Sequence, residues 1–175
     1  MSSARIGLAL RKGFLGTASG LVGAALITFS ARHISALSPV DISQTAVILS
    51  LGNLIYGLSV SDANGNDRVQ EFLGVDSYAS RVQEAYENGI RTMIFHASAG
   101  NTKKACEAFM GNEAREKLFV EDFLYSLFEQ VTAGTIGFGM LMLFNPSSIS
   151  LTYRQLIESI AIGSFASSSF KSLSY

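Results

Sequence analysis

Cysteine, proline and charged residues are all scarce in this 175-residue chain. The one cysteine, Cys106, excludes an internal disulfide and any zinc site built from several cysteines. Two prolines leave long stretches in which a helix can run without interruption. Thirteen basic and fourteen acidic residues give a net charge of −1, so the sequence lacks the basic character that nucleic-acid binding requires.

Charged residues make up 15% of the chain, against about 25% in an ordinary soluble domain. With 48% hydrophobic residues, this composition excludes intrinsic disorder. The charges are also unevenly placed, since eighteen of them lie between Asp62 and Asp122. Long uncharged stretches therefore remain on both sides, at 13–31, 42–61 and 130–153.

The uncharged stretches are long enough to cross a membrane. About 20 helical residues span a hydrocarbon core of about 30 Å. We therefore predict transmembrane helices at 13–31, 42–61 and 130–150, the last ending near the turn signal Asn145-Pro146. A possible fourth, 151–170, is a weaker candidate because it contains Arg154 and Glu158.

The charged middle of the chain, residues 62–129, is predicted to form amphipathic helices. Between Ser77 and Ala97 the apolar residues recur at helical spacing, which favours one apolar face. That face is a candidate partner surface, formed by Tyr78, Val82, Tyr86, Ile90 and Ile94.

Small residues spaced four apart predict close helix packing in the apolar stretches. Gly16 and Gly20 form such a pattern, and Ala24 continues the same face. Gly134 and Gly137 offer a second small face in the third stretch. We expect these positions to serve packing within the molecule rather than chemistry.

Three polar residues stand out in or beside the apolar stretches. Asn53 lies in the middle of the second stretch, and Arg154 and Glu158 are four apart in the last one. Within a membrane such residues are costly and suggest function, whereas at its surface Arg154 and Glu158 would form an ordinary exposed ion pair.

Asp41 followed by Gln44 resembles a helix-capping pattern with Asp41 as the cap.

The basic residues predict an orientation. Arg5, Arg11 and Lys12 precede the first apolar stretch, and cytoplasmic flanks are enriched in Lys and Arg. We therefore expect a cytosolic N-terminus. A hairpin formed by the first two stretches would return the middle segment to the same side.

Together these patterns predict an all-α fold in a single domain, 1–175. We expect a small helical membrane protein in which two hydrophobic hairpins flank the charged middle segment. The alternative is a soluble helical bundle whose central hairpin is apolar because it is buried. Leu21, Leu26 and Phe29 distinguish the two, since they face lipid in the first and the core in the second.

No residue pattern indicates catalysis, a metal site or a cofactor. We therefore expect a non-enzymatic structural or assembly subunit of a larger membrane complex, in contact with lipid and with other subunits. A soluble interaction module that binds a partner helix in an apolar groove is the alternative.

Overall fold

The computed structural model describes residues 2–30, 37–72, 93–101, 103–104 and 113–174. This part of the chain is all-α and contains no strand, as the sequence predicts. Residues 93–98 are also helical. The remaining elements are α1 (Ser3–Ser30), α2 (Pro39–Val60), α3 (Arg68–Phe72), α4 (Glu113–Phe144), a 3₁₀ turn (Pro146–Ser148) and α5 (Tyr153–Ser174).

The four long helices form a ring in which α1 and α4 each pack against both α2 and α5. Neighbours are antiparallel: Gly57 of α2 meets Ala9 near the start of α1, while Gly20 meets Leu49. We call the end that holds the Ser61–Asp67 loop the basal end. The opposite end, which holds residues 37–41 and 145–152, is the turn end.

The start of α2 differs from the sequence-based expectation. Ser38, not Asp41, is the N-cap: its hydroxyl accepts a hydrogen bond from the Asp41 backbone N–H. Asp41 occupies the third helical position, and its carboxylate accepts a hydrogen bond from the Ser38 backbone N–H. The reason is Pro39. Its fixed φ suits the first helical position, so α2 begins at Pro39 and the residue before it, Ser38, becomes the cap.

Helix α4 joins two segments that the sequence treats separately. It runs without a break from Glu113 in the charged middle segment to Phe144, about 48 Å at 1.5 Å per residue. It stops short of residue 150 because Pro146 begins a 3₁₀ turn. The structure thus places 145–150 outside the third apolar helix.

Glycines set the distance between the helices at two crossings. A Cβ at Gly23 of α1 would overlap the Ser159 carbonyl oxygen of α5, and one at Gly163 would overlap the Ser19 carbonyl oxygen. Gly52 of α2 and Gly137 of α4 are related in the same way. Backbones therefore touch directly at both crossings, as in the close packing that small residues allow.

The interior of the bundle changes in character along its length. Toward the turn end it is apolar, with Ile27, Ile48, Leu49, Leu156 and Ile160 at 0–1% exposure. Polar side chains are buried as completely, from Thr45 near the turn end to Ser168 toward the basal end: Thr45, Asn53, Ser159, Ser164 and Ser168 are all at 0%.

The outer surface is, by contrast, strongly apolar. Phe29 is 90% exposed and Phe14 75% exposed on α1, and Leu143 and Phe144 are each 79% exposed on α4. Further large apolar side chains lie outward on the four long helices, namely Ile6, Leu10, Leu15, Val22, Leu26, Val40, Val47, Val120, Leu124, Phe128, Met142, Phe165 and Phe170. We call this set, with the four above, the apolar girdle.

Candidate functional site: a buried charged cluster

Three charged side chains from distant parts of the sequence meet inside the basal half of the bundle. The Lys12 ammonium on α1 lies 2.6 Å from a carboxylate oxygen of Asp67 and 2.6 Å from one of Glu129 on α4. Their side chains are 8%, 1% and 11% exposed, respectively. Two carboxyl groups thus share one ammonium group away from water.

Asp67 is held in place by the backbone as well as by Lys12. Its Oδ1 accepts hydrogen bonds from the Val69 and Gln70 N–H groups, so it caps α3. The loop before it is closed by a bridge between Ser61 and Asp67. Gly65 makes that loop possible, because its φ of +83° lies in the left-handed region and a Cβ would press on the Ala4 backbone.

The charge of Asp67 is stabilised despite its burial. Burial raises its pKa, but the hydrogen bond and charge of Lys12 and the backbone hydrogen bonds from Gln70 and Val69 lower it more. The net effect is a pKa below the ordinary value of 3.8, so Asp67 is ionised at neutral pH.

Two tyrosines complete the cluster. Tyr125 of α4 donates a hydrogen bond from its hydroxyl to Asp67 Oδ2 at 3.1 Å. The Lys12 ammonium lies 5.5 Å from the ring centroid of Tyr56 and 6.0 Å from that of Tyr125, within range of cation–π attraction. The Tyr56 hydroxyl is buried and has no hydrogen-bond partner in the described part of the chain. We call these five residues, Lys12, Tyr56, Asp67, Tyr125 and Glu129, the charged cluster.

Asn53 lies next to the charged cluster, where it pairs with Gln130 of α4. The Asn53 amide donates to Gln130 Oε1 at 3.1 Å, and the Gln130 amide donates to Asn53 Oδ1 at 3.2 Å. A Cβ at Gly16 would overlap the Asn53 side chain. The intramembrane polar candidate Asn53 is therefore satisfied by a neighbour that the sequence analysis did not select.

A second polar network joins α2 to the turn between α4 and α5. The Gln44 amide donates to the Ser148 carbonyl at 2.7 Å, and its Oε1 accepts from the Ser150 and Leu151 N–H groups. The Ser150 hydroxyl donates to Asp41. This network fixes the turn end, where the Ser38 and Ser150 hydroxyls donate to the Asp41 carboxylate.

The predicted packing residues lie at helix contacts. Gly20 faces Leu49, Gly134 faces Ile160, and Gly137 faces the Ile48 carbonyl. Ala24 is completely buried. Gly23, Gly52, Gly57 and Gly163 also lie at close contacts, and the sequence analysis did not select them.

The other predicted sites are dispersed. Arg154 donates to Glu158 at 2.7 Å, but Arg154 is 87% exposed, so the pair is an external one on α5. Of the candidate partner surface, only Ile94 belongs to the described residues, and it is 55% exposed. Tyr78, Val82, Tyr86 and Ile90 lie outside the described residues.

The charged cluster itself was not predicted. Lys12 and Glu129 are 117 positions apart in the sequence, and no spacing rule relates residues at that separation. The available signal was that Lys12 and Glu129 each stand immediately beside an uncharged stretch. Sequence reasoning treats such residues as boundary markers, whereas the fold turns both toward the interior.

Comparisons with known proteins add no relative. No family model matches the chain, and neither the curated proteins nor the solved structures gave a match. Within the described ranges, no group of three His, Cys, Asp or Glu side chains is placed to hold a metal ion.

Proposed function

We propose that this chain is an integral membrane protein whose four-helix bundle serves as a structural subunit of a membrane assembly. The observation that carries the proposal is the apolar girdle. Phe14, Phe29, Leu143 and Phe144 are at least 75% exposed, while serine, threonine and asparagine fill fully buried positions. Water would favour the opposite distribution.

The dimensions of the helices support the same proposal. Three helices are long and apolar enough to cross a membrane: Ser3–Phe29, Pro39–Val60 and Phe119–Phe144. From Ile6 to Phe29 the girdle extends along α1 for about 35 Å, close to the thickness of a hydrocarbon core. Of the three residues that distinguish the membrane hypothesis from the soluble one, Leu26 and Phe29 are 40% and 90% exposed, and Leu21 is partly buried.

The fourth long helix, α5, crosses beside the other three in this proposal. It does not meet the length-and-composition criterion for a span, but its buried Ser159, Ser164 and Ser168 face the interior, not lipid. The hydroxyls of Ser159 and Ser168 are hydrogen-bonded, to the Gln155 carbonyl and to Asp122 respectively. The low hydropathy of α5 thus reflects the serines on the face that it turns toward the interior.

The structural role is supported by how the polar groups are used. Lys12, Asp67, Asn53 and Gln130 make contacts that join different helices of this chain. The direct backbone contacts at Gly23 and Gly52 leave little space between neighbouring helices. Rigid packing of this kind suits a subunit that holds its shape inside a larger complex.

Membrane insertion is tested by fractionating cells that express the full chain. After an alkaline carbonate wash we expect the protein in the membrane pellet. Release as a monodisperse soluble protein would contradict insertion and favour the soluble bundle. To test the subunit role, the tagged chain at low expression is solubilised in mild detergent and sized, and we expect a particle larger than its own micelle.

A further inference from the structure

We infer that the charged cluster is a binding site for one alkali-metal cation, Na⁺ or K⁺, held by Glu129 and Tyr56 beside the Lys12 ammonium. The charge balance and the free oxygen atoms do not require the surroundings to be lipid, because the cluster is buried by the protein itself, whereas the argument from position rests on the membrane insertion proposed above. A cation site goes beyond the structural role proposed above.

The first argument is the balance of formal charge. Two carboxyl groups face one ammonium group, and the closest other cationic groups on the same elements are directed elsewhere. Arg5 bonds to Ser61 and to the Leu58 carbonyl, and Arg11 and Arg68 are exposed. A buried unpaired charge is costly, so a further positive charge at this place would stabilise the fold.

The second argument is the state of the oxygen atoms. Lys12 contacts Oε1 of Glu129, and no hydrogen bond within the described residues uses Oε2. The Tyr56 hydroxyl belongs to a residue that is 95% buried and has no hydrogen-bond partner within the described residues, and the Lys12 ammonium lies 5.5 Å from the centroid of the Tyr56 ring. A carboxylate oxygen and a hydroxyl oxygen that no hydrogen bond within the described residues uses, both belonging to side chains that contact Lys12, are ligands of the kind that alkali-metal ions take.

The third argument is position. Lys12 lies seventeen residues from Phe29, so the cluster is about 25 Å from the turn end of the girdle. The girdle continues past it to Ile6 on α1 and Val120 on α4. Ionisable groups at such a depth commonly mark ion sites or pathways. A divalent ion fits less well, because it would leave an excess of positive charge.

The test is the thermal unfolding of the full chain in detergent, followed by circular dichroism. Chloride concentration and pH stay constant while N-methylglucamine is replaced by Na⁺, or in a parallel series by K⁺. We expect at least one of the two ions to raise the unfolding midpoint along a saturable curve. Equal midpoints in all three salts would overturn the inference.

Variants separate a site from a general salt effect. Glu129→Gln removes the excess carboxylate, and we expect it to abolish the dependence on the ion. Glu158→Gln alters a carboxylate on the outside of α5, and we expect this variant to retain the dependence of the unfolding midpoint on the ion. If Glu129→Gln does not fold, Tyr56→Phe keeps the ring and removes only the free hydroxyl. It should move the saturation curve to about tenfold higher ion concentration.

Proton uptake is the competing source of positive charge. If protons supply the charge, the thermal unfolding midpoint of wild type rises on acidification and that of Glu129→Gln does not. The midpoint of each protein is then the same in the salts of N-methylglucamine, Na⁺ and K⁺. That result would also overturn the inference.

Discussion

At the scale of single residues, Lys12 holds the basal half of the molecule together. Its ammonium group contacts both Asp67, which caps α3, and Glu129 of α4, and it thereby joins α1, α3 and α4. Forming a buried ion pair is close to neutral in free energy, because desolvation offsets the attraction. Removing one partner is costly, because the other charges stay buried.

Replacing Lys12 with Ala should therefore destabilise the protein by about 3–5 kcal/mol. The matched control is Arg11→Ala at the next position, where the side chain is exposed, and its effect should stay within about 0.5 kcal/mol. The effects of both variants are measured as changes in the free energy of unfolding in mixed detergent micelles. Similar losses for the two variants would show that Lys12 is not buried in the cluster.

The lowered pKa of Asp67 predicts how stability depends on pH. Because the folded state holds this carboxyl below its ordinary pKa of 3.8, the unfolded state binds the proton more tightly. The stabilisation is fully present above the unfolded pKa and is lost as the pH falls through the lower folded pKa. Asp62 shifts in the same direction, since the Asn66 backbone N–H and further donors bond to its carboxylate.

To isolate Asp67, we compare wild type with Asp67→Asn between pH 7 and pH 2.5. The difference in unfolding free energy should be constant down to about pH 5 and then shrink below about pH 4. Since Asp62 is present in both proteins, its contribution cancels. A difference that does not change with pH would contradict a lowered pKa for Asp67.

At the scale of the elements, glycine decides how the helices meet. Gly23 and Gly163 bring α1 and α5 into backbone contact, and Gly52 and Gly137 do the same for α2 and α4. These two crossings join helices that are not consecutive in the sequence. They therefore determine which helices become neighbours around the ring.

We expect Gly23→Ala to destabilise the bundle by about 1–3 kcal/mol, because the new methyl group overlaps the Ser159 backbone and α5 must move. Gly139→Ala on α4 is the control, since its Cβ would meet nothing within 4 Å. There the better helix propensity of alanine should stabilise the protein by up to about 1 kcal/mol. Both values come from the same unfolding titration, and a stable Gly23→Ala would refute the crossing.

At the scale of the whole molecule, the antiparallel ring puts the start of α1 and the Ser61–Asp67 loop at the same end. The Ser2 hydroxyl donates to the Ala63 carbonyl at 2.9 Å, which fixes that proximity. The turn with Ser147 lies at the opposite end. If the bundle crosses a membrane, the two ends face different compartments.

Cysteine labelling tests this topology. In a Cys106→Ser background, single cysteines replace the exposed residues Asn64 and Ser147. In intact cells, an impermeant maleimide should label the cysteine at 147 and spare the one at 64, because the basic residues before the first span favour a cytosolic basal end. Labelling of both sites alike would contradict the crossing, and the reverse pattern would contradict the orientation.

Much of the fold follows from local sequence. The uncharged stretches and the near absence of proline determine long apolar helices, since each helix satisfies its own backbone hydrogen bonds. Pro39 beside Ser38 determines where α2 begins. The capping pattern alone predicts Asp41 as the cap, because it does not include the preference of proline for the first helical position.

Only the tertiary structure decided which residues form the candidate site. Lys12 and Glu129 stand at the edges of apolar stretches, where sequence alone favours a boundary exposed to water. The fold turns them toward each other and toward Asp67, because α2 packs against both α1 and α4 and the helices surround one interior. Helix formation depends on neighbours in the chain, whereas a charged cluster depends on contacts between segments far apart in it.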